Sequence, residues 1–499
     1  SEPNPDWLAM LPPELRSESL QFQVQADKPL DNLRPELAER SLPLQVKAAL
    51  RGATRLDLQG RVAIASSAPW AVQFADSRLT TSTAKLNQAG WQATELSSDL
   101  HLSGYADGNA IELNLGKGSA LQAASLKGAA LSAQKLQADI GGSDLKLTLQ
   151  DGALHGWRFN GPLNLSTTRL EQANVKPQGW RLQGQLAAAD MAGTLKGKLS
   201  NDSELQLDLD AGLDANQNLQ LKATLAELFL RSGNPLAKTL VQWPELLDLN
   251  SGRLNADANL TLAAGSSAPS LDLNLTGKGL GGIYDRSELS GLDTRLQFKL
   301  ARQRFELYIP ELKLQQANPG LPIGPVEARA RYSAPLADVG RGQLEVNLAR
   351  TALMGGEVTL TPGQWNLAAG NQLFPIQIRG LELQQLFALY PAEGLAGSGT
   401  LDGDLPVRLG ENGIEIEQGH VAARQPGGYL KFSSEKIKAL GRSNPAMQLV
   451  TQSLEDFRFT TLNSSVDYDQ HGKLTLGMRL EGQNPAIENG RPIHFNINL

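Results

Sequence analysis

The chain has 499 residues, more than one ordinary core holds, and its 41% hydrophobic and 20% charged residues exclude wholesale disorder, so two to four domains are expected. A formal charge of −6 without a run of like charge excludes nucleic acid as the expected partner, because phosphate binding needs clustered Lys and Arg. Cysteine is absent, which excludes disulfides, thiolate metal sites and cysteine nucleophiles and suits an oxidising compartment.

Along the chain one device repeats. RLDLQGRVAI (55–64), AIELNL (110–115), DLKLTLQ (144–150), ELQLDLD (204–210) and LQLKATL (219–225) place Leu, Ile or Val at every second position, with polar residues between. A soft boundary follows at 232–247, where Asn234-Pro235 reads as a helix cap plus first-turn proline ahead of Leu236, Leu240 and Val241. It divides the chain into expected parts 1–245 and 246–499. Alternation resumes with RLNADANLTL (253–262), LDLNL (271–275), RFELYI (304–309), QLEVNL (343–348), GIEIE (413–417) and KLTLGMRL (473–480). Two more short helices are predicted. One carries Leu383, Leu386, Phe387 and Tyr390 and stops at Pro391; the other opens at Asn444-Pro445 with Met447, Val450 and Leu454 on one side.

Gly, Asn, Asp and Ser mark the joints, as in ADGN (106–109), GGSD (141–144) and DANQN (214–218), residues that accept the positive φ of tight hairpins. The pattern therefore predicts an all-β fold, a long antiparallel meander with an apolar and a wet side, and few helices. Strand spacing keeps no fixed period, which disfavours propellers and regular solenoids. The last segment, NPAIENGRPIHFNINL (484–499), turns Ile493, Phe495, Ile497 and Leu499 one way and His494, Asn496 and Asn498 the other. It runs to the final residue as an edge strand able to take a partner. No run of about 18 apolar residues predicts a transmembrane helix, and Ser1 opens the chain with no signal peptide. We expect a soluble piece of a longer protein.

Two readings of the apolar side compete. It is a sandwich core, packed against a second sheet, or the lining of a curled, open trough for an apolar ligand. Aromatics are only 5% of the chain, and a lining of flexible aliphatics is smooth and unspecific. Transfer of a two-tailed lipid with roughly thirty methylenes into water costs about 24 kcal/mol at about 0.8 kcal/mol per methylene. An aliphatic trough removes most of that barrier without chemistry. Candidate lining residues are Leu145, Leu147 and Leu149; Leu205, Leu207 and Leu209; Leu271, Leu273 and Leu275; Leu344, Val346 and Leu348; and Leu474 with Leu476.

The second half carries specific motifs. SELSGLDTRLQFKL (287–300), QQANPGLPIGPVEARARY (315–332), LMGGEV (353–358), LYPAEGLAGSGTLDGDLPV (389–407), QPGGYLKF (425–432) and the segment 454–499 resemble the YdbH family. The resemblance covers about 250–499. It implies AsmA-like proteins related to TamB, anchored in the inner membrane and crossing the periplasm, which carry phospholipids to the outer membrane along a hydrophobic β-groove. It also implies a small outer-membrane lipoprotein that continues the sheet at the C-terminal end. An older association of the family with dicarboxylates finds no support here, since the apolar side offers no Arg pair. The N-terminal membrane helix of the family is not in this chain, so the inner-membrane contact is expected from outside it.

No catalytic constellation is legible. The histidines at 101, 155, 420, 471 and 494 are scattered without metal spacing. DLDAGLD (208–214) lacks the acidic spacing of a calcium loop, and Leu219 stands where Glu is needed. GKGLGG (277–282) lacks the strand-to-helix context of a phosphate loop. LAGSGT (395–400) misses a nucleophile elbow at Ala396 and Thr400. We expect no enzyme and no cofactor. The alternative to a lipid conduit is a surface adhesin or scaffold with a closed core. Seven dispersed Trp residues form no obvious platform for it.

Overall fold

The structure, a computed structural model, describes residues 17–26, 41–65, 71–88, 90–150, 153–389, 391, 394–410, 413–433, 445–487 and 489–498. Leu499, Tyr390 and Asn444 lie outside the described residues. Among the described residues thirty strands belong to one antiparallel sheet, and the helices are short. Three of those described are α-helical: α1 (Pro235–Thr239), α2 (Leu383–Leu389) and α3 (Pro445–Ser453). Each falls where the sequence predicts one. Asn234 caps α1 by accepting from the Ala237 amide at 3.1 Å.

Contacts divide the chain into two units. The first comprises Ser1–Leu228, Asn234–Glu245 and Asn255–Leu271; the second comprises Phe229–Gly233, Leu246–Leu254 and Asp272–Leu499.

In the first unit, hairpins join neighbours in chain order from Ser17–Ala26 to Leu219–Phe229. Two long strands are interrupted midway. Ala110–Leu115 and Ala120–Lys127 together line Trp91–Asp107, while Leu131–Asp139 and Ser143–Gln150 together line Ala153–Gln172. That makes twelve positions in the ladder, or about 50 Å along the hydrogen-bonding direction. The breaks at 116–119 and 140–142 stand beside β-bulges between Phe74 and Ser77 and between Gln59 and Arg61. Bulges bend a strand and increase its twist, so their alignment across neighbours creases the sheet.

Small residues stand near this crease. A Cβ on Gly161 would lie 2.1 Å from Ser143 Oγ, and Gly184 and Gly197 face each other so closely that a Cβ on either would lie 2.4 Å from the opposing backbone oxygen. Ser77 and Ser143 are buried.

The second unit repeats the meander from Ser287–Ala301 to Ile493–Asn498. Near its end a small pair, Leu395–Ser398 with Gly428–Phe432, attaches to one end of Phe457–Tyr468. There a sealed core forms from Leu383, Leu401, Phe457, Phe459, Leu462 and Leu480. Phe457 is fully buried, and its ring meets Phe495 edge-on at 5.1 Å between centroids. Asn484, itself buried, donates to Gln452 O at 3.0 Å and ties α3 to the last hairpin.

A candidate lipid groove

Residues directly opposed in an antiparallel ladder point to the same side of the sheet. In the first unit the register therefore assembles apolar rows on one side. Leu113 faces Leu145, which faces Phe159; Ile111 faces Leu147, which faces Trp157. A second row, further along the strands, runs through Leu165 with Leu182, Leu182 with Leu199, and Leu199 with Leu207. Beside it Leu209 lies between Gly197 and Ala223, and Ala211 between Leu195 and Leu221. Leu149 faces Leu154 at one lip, where Leu154 is 60% exposed.

Burial separates the two readings of this row. In a sandwich, two inner faces interdigitate across about 10 Å and such leucines are fully buried. Here Leu145, Leu147, Leu149, Leu207 and Leu209 are half-buried and alternate with exposed Asp144, Lys146, Thr148, Asp208 and Asp210. Half-burial of these side chains means that no packed second layer seals them on this side. An apolar recess of about 520 Å³ lies on this face between Leu186, Ala188, Gly193, Leu195, Ala211 and Leu213, with exposed Met191 at its mouth.

One stretch of the first unit is filled. Leu205 is buried with Trp180 and Leu225, and Leu236 of α1 packs on them. Thr239 Oγ1 accepts from Asn201 Nδ2 at 2.8 Å, and Ala237 O accepts from Lys176 Nζ at 2.8 Å, which holds α1 against the end of the sheet. The helix covers one lip; the lip bearing Leu154, Trp157 and Met191 stays uncovered among the described residues.

The remaining sequence candidates fall as follows. Leu271, Leu273 and Leu275 are half-buried and alternate with exposed Asp272 and Asn274. In the second unit Leu344 lies between Tyr332 and Trp365, and Val346, which is buried, between Ala330 and Gly363. A register shift then sets Leu348 opposite Arg329, out of line with the apolar row, and Ala349 takes the next place, opposite Ala328. Leu476 faces Val466 and is half-buried, whereas Leu474, at the lip opposite Tyr468, is 51% exposed. Ile493, Phe495 and Ile497 pack against the sealed core, and their strand pairs with Leu474–Gln483 on one side only among the described residues.

The alternation did not reveal a second lining. Phe298 stacks on Phe305 with centroids 5.8 Å apart, Phe305 lies 5.9 Å from Tyr332, and Trp365 stacks on Phe374 at 4.9 Å. These rings meet on the apolar side of neighbouring strands near the hairpin tips, Phe298 with Phe305 and Trp365 with Phe374 across a single turn region each. Each stands within a few residues of a turn, the one signal in the sequence that could have grouped them.

Ion pairs run along the other side. Lys146 pairs with Glu112 at 2.6 Å, Lys196 with Asp210 at 3.1 Å, Arg350 with Glu327 at 2.8 Å and Arg424 with Asp402 at 2.6 Å. The Arg424 hydrogen bond holds the Asp402 carboxyl below its ordinary range, and Arg78 does the same for Asp99. These exposed pairs add little stability individually; collectively they keep one side wet. Among the described residues no group of His, Asp and Glu is placed to hold a metal, and no helix is long and apolar enough to cross a membrane.

No curated protein and no solved structure matches this chain. A family model does: YdbH-like, intermembrane phospholipid transport protein YdbH, over residues 1–499, which extends the likeness through the first half, where the sequence motifs had been silent. A half-sheltered apolar face and a full-length family match agree, and the chain belongs to the YdbH-like family of intermembrane phospholipid transport proteins.

Proposed function

We propose that this chain forms part of a bridge across the periplasm, along which phospholipids slide from one membrane to the other with their tails in the apolar groove and their headgroups in water. The observation that carries this reading is the half-burial of the leucine row opposite an ion-paired outer face. A groove floor of mobile aliphatics offers no fixed polar contacts, so a tail moving along it exchanges one apolar surface for another at nearly constant free energy. Leu145, Leu147, Leu149, Leu207, Leu209, Leu273 and Leu476 are the floor positions we assign to tails.

The test combines occupancy and position. Native mass spectrometry of the purified protein is expected to detect bound phospholipid, and photo-crosslinkers at Leu147, Leu207, Leu273 and Leu476 to label it. The same probes at Thr148 and Asp208 are expected to stay unlabelled; equal labelling of both faces would falsify the groove.

The strand Ile493–Asn498 is the proposed contact for a small outer-membrane lipoprotein that adds a strand. Its hydrogen-bonding edge away from Leu474–Gln483 has no partner among the described residues, and it carries no Lys or Pro of the kind that blunts edges. Crosslinkers at Asn496 and Asn498 are expected to capture such a lipoprotein in cells. Recovery of none would remove the partner contact and leave the groove standing.

A further inference from the structure

The two lips of the second unit differ. Gln372–Glu382 starts from the tip at 367–371 and runs into α2, and Phe457–Tyr468 follows α3 and ends at the tip at 469–473. Both helices therefore sit at one end of these strands, and the turns at 302–303, 336–342, 367–371 and 469–473 at the other. A lipid with its tails on the apolar face has room for its headgroup at the tip end.

That lip carries unpaired cations. The turn after Ser287–Ala301 is Arg302-Gln303, both with positive φ, followed by Arg304. The acids around it are taken: Glu306 lies 3.6 Å from Arg331 and Asp338 lies 3.7 Å from Arg341. Elsewhere on the unit Arg350, Arg379 and Arg424 each have a carboxylate within 3.0 Å. Arg302 and Arg304 are exposed, without an acidic partner among the described residues.

The surroundings suit a lipid. The next loop docks on this turn through Leu336 N donating to Gln303 O at 2.8 Å, and the Tyr332 hydroxyl holds it by donating to Val339 O at 2.6 Å. Leu336 and Val339 are 46% and 57% exposed. Phe305, directly after Arg304, belongs to the aromatic cluster with Phe298 and Tyr332 on the groove face. Cations at the tip, apolar residues on the adjoining loop and a ring cluster at the same end of the strands offer groups for a phosphate, the glycerol–acyl boundary and the tails.

Resting on the conduit reading, we infer that the lip formed by Arg302, Arg304, Leu336 and Val339 is a binding site for the phosphodiester headgroup of lipids in the groove. Guanidinium groups bind phosphate oxygens through charge-assisted, often bidentate hydrogen bonds. The site would favour anionic lipids and weaken with salt.

The test loads the purified chain from detergent with fluorescent phosphatidylglycerol or with diacylglycerol, which has the same tails and no phosphate. Arg302→Glu/Arg304→Glu is expected to lower phosphatidylglycerol retention about fivefold, the scale for exposed charge pairs, and to leave diacylglycerol unchanged. Arg55→Glu/Arg61→Glu, on exposed positions of the first unit, is expected to change neither. Equal loss of both lipids, or loss of neither, overturns the headgroup site and leaves the conduit intact. A wild-type chain that retains neither lipid overturns the conduit and the site with it.

Discussion

Leu209→Asp is expected to lower phospholipid occupancy at least tenfold while leaving the protein folded. Leu209, one of the floor positions we propose for tails, lies between Gly197 and Ala223 and is half-buried, so it keeps contact with solvent. In the empty protein water can reach the new carboxylate, so the loss of stability is about 1–2 kcal/mol. Once tails cover the position, the carboxylate is stripped of water with no cation on that face to pair it, at a cost of several kcal/mol. Each 1.4 kcal/mol is a tenfold change in occupancy. Bound phospholipid per chain by native mass spectrometry checks the first half, and circular dichroism with a melting curve the second. The neighbouring Asp208→Asn, on the outer face, is the matched control and is expected to keep full occupancy. Loss of fold with Leu209→Asp at full occupancy of the remaining folded fraction would mean a sealed core at this point.

Phe457→Ala is expected to do the opposite, with a large loss of stability concentrated in the last strands. Phe457 has no exposed surface and packs against Phe495 and the cluster around Leu401, Leu462 and Leu480. Removing a ring from a closed core costs about 3–5 kcal/mol, because the cavity left behind is only partly filled by relaxation. The strand Ile493–Asn498 has one hydrogen-bonded neighbour, so its side-chain anchorage in this core holds it in place. Hydrogen exchange over 474–498 is expected to accelerate far more than over 143–213. A cost below about 1 kcal/mol would mean that this end of the second unit is as open as the groove floor of the first.

The contrast between Leu209 and Phe457 locates what alternation can and cannot tell. Both occupy apolar positions of alternating segments, yet one side chain lines a recess and the other fills a core. The difference lies in what stands opposite. Phe457 is met by α2, by the added pair Leu395–Ser398 and Gly428–Phe432, and by Phe495. Leu209 is met by Gly197 and Ala223, too small to fill the space. Leu348 is a finer instance: it continues the QLEVNL alternation, and a one-residue shift in pairing sets it opposite Arg329. A period of two carries no information about a bulge until the partner strand is known.

By itself the sequence determined the strands, their turns, the three short helices, the all-β class and the family of the second half. Each of these rests on local preference: the period of two, residues that accept positive φ, Asn-Pro caps, and runs of identical motif. Only the tertiary structure decided which apolar positions stay half-open and which are sealed, where the sheet creases, and that Tyr332 joins Phe298 and Phe305 in one ring cluster. Those outcomes depend on which residues face one another across strands tens of residues apart. Packing against a distant neighbour is a property of the register, and no single segment contains it.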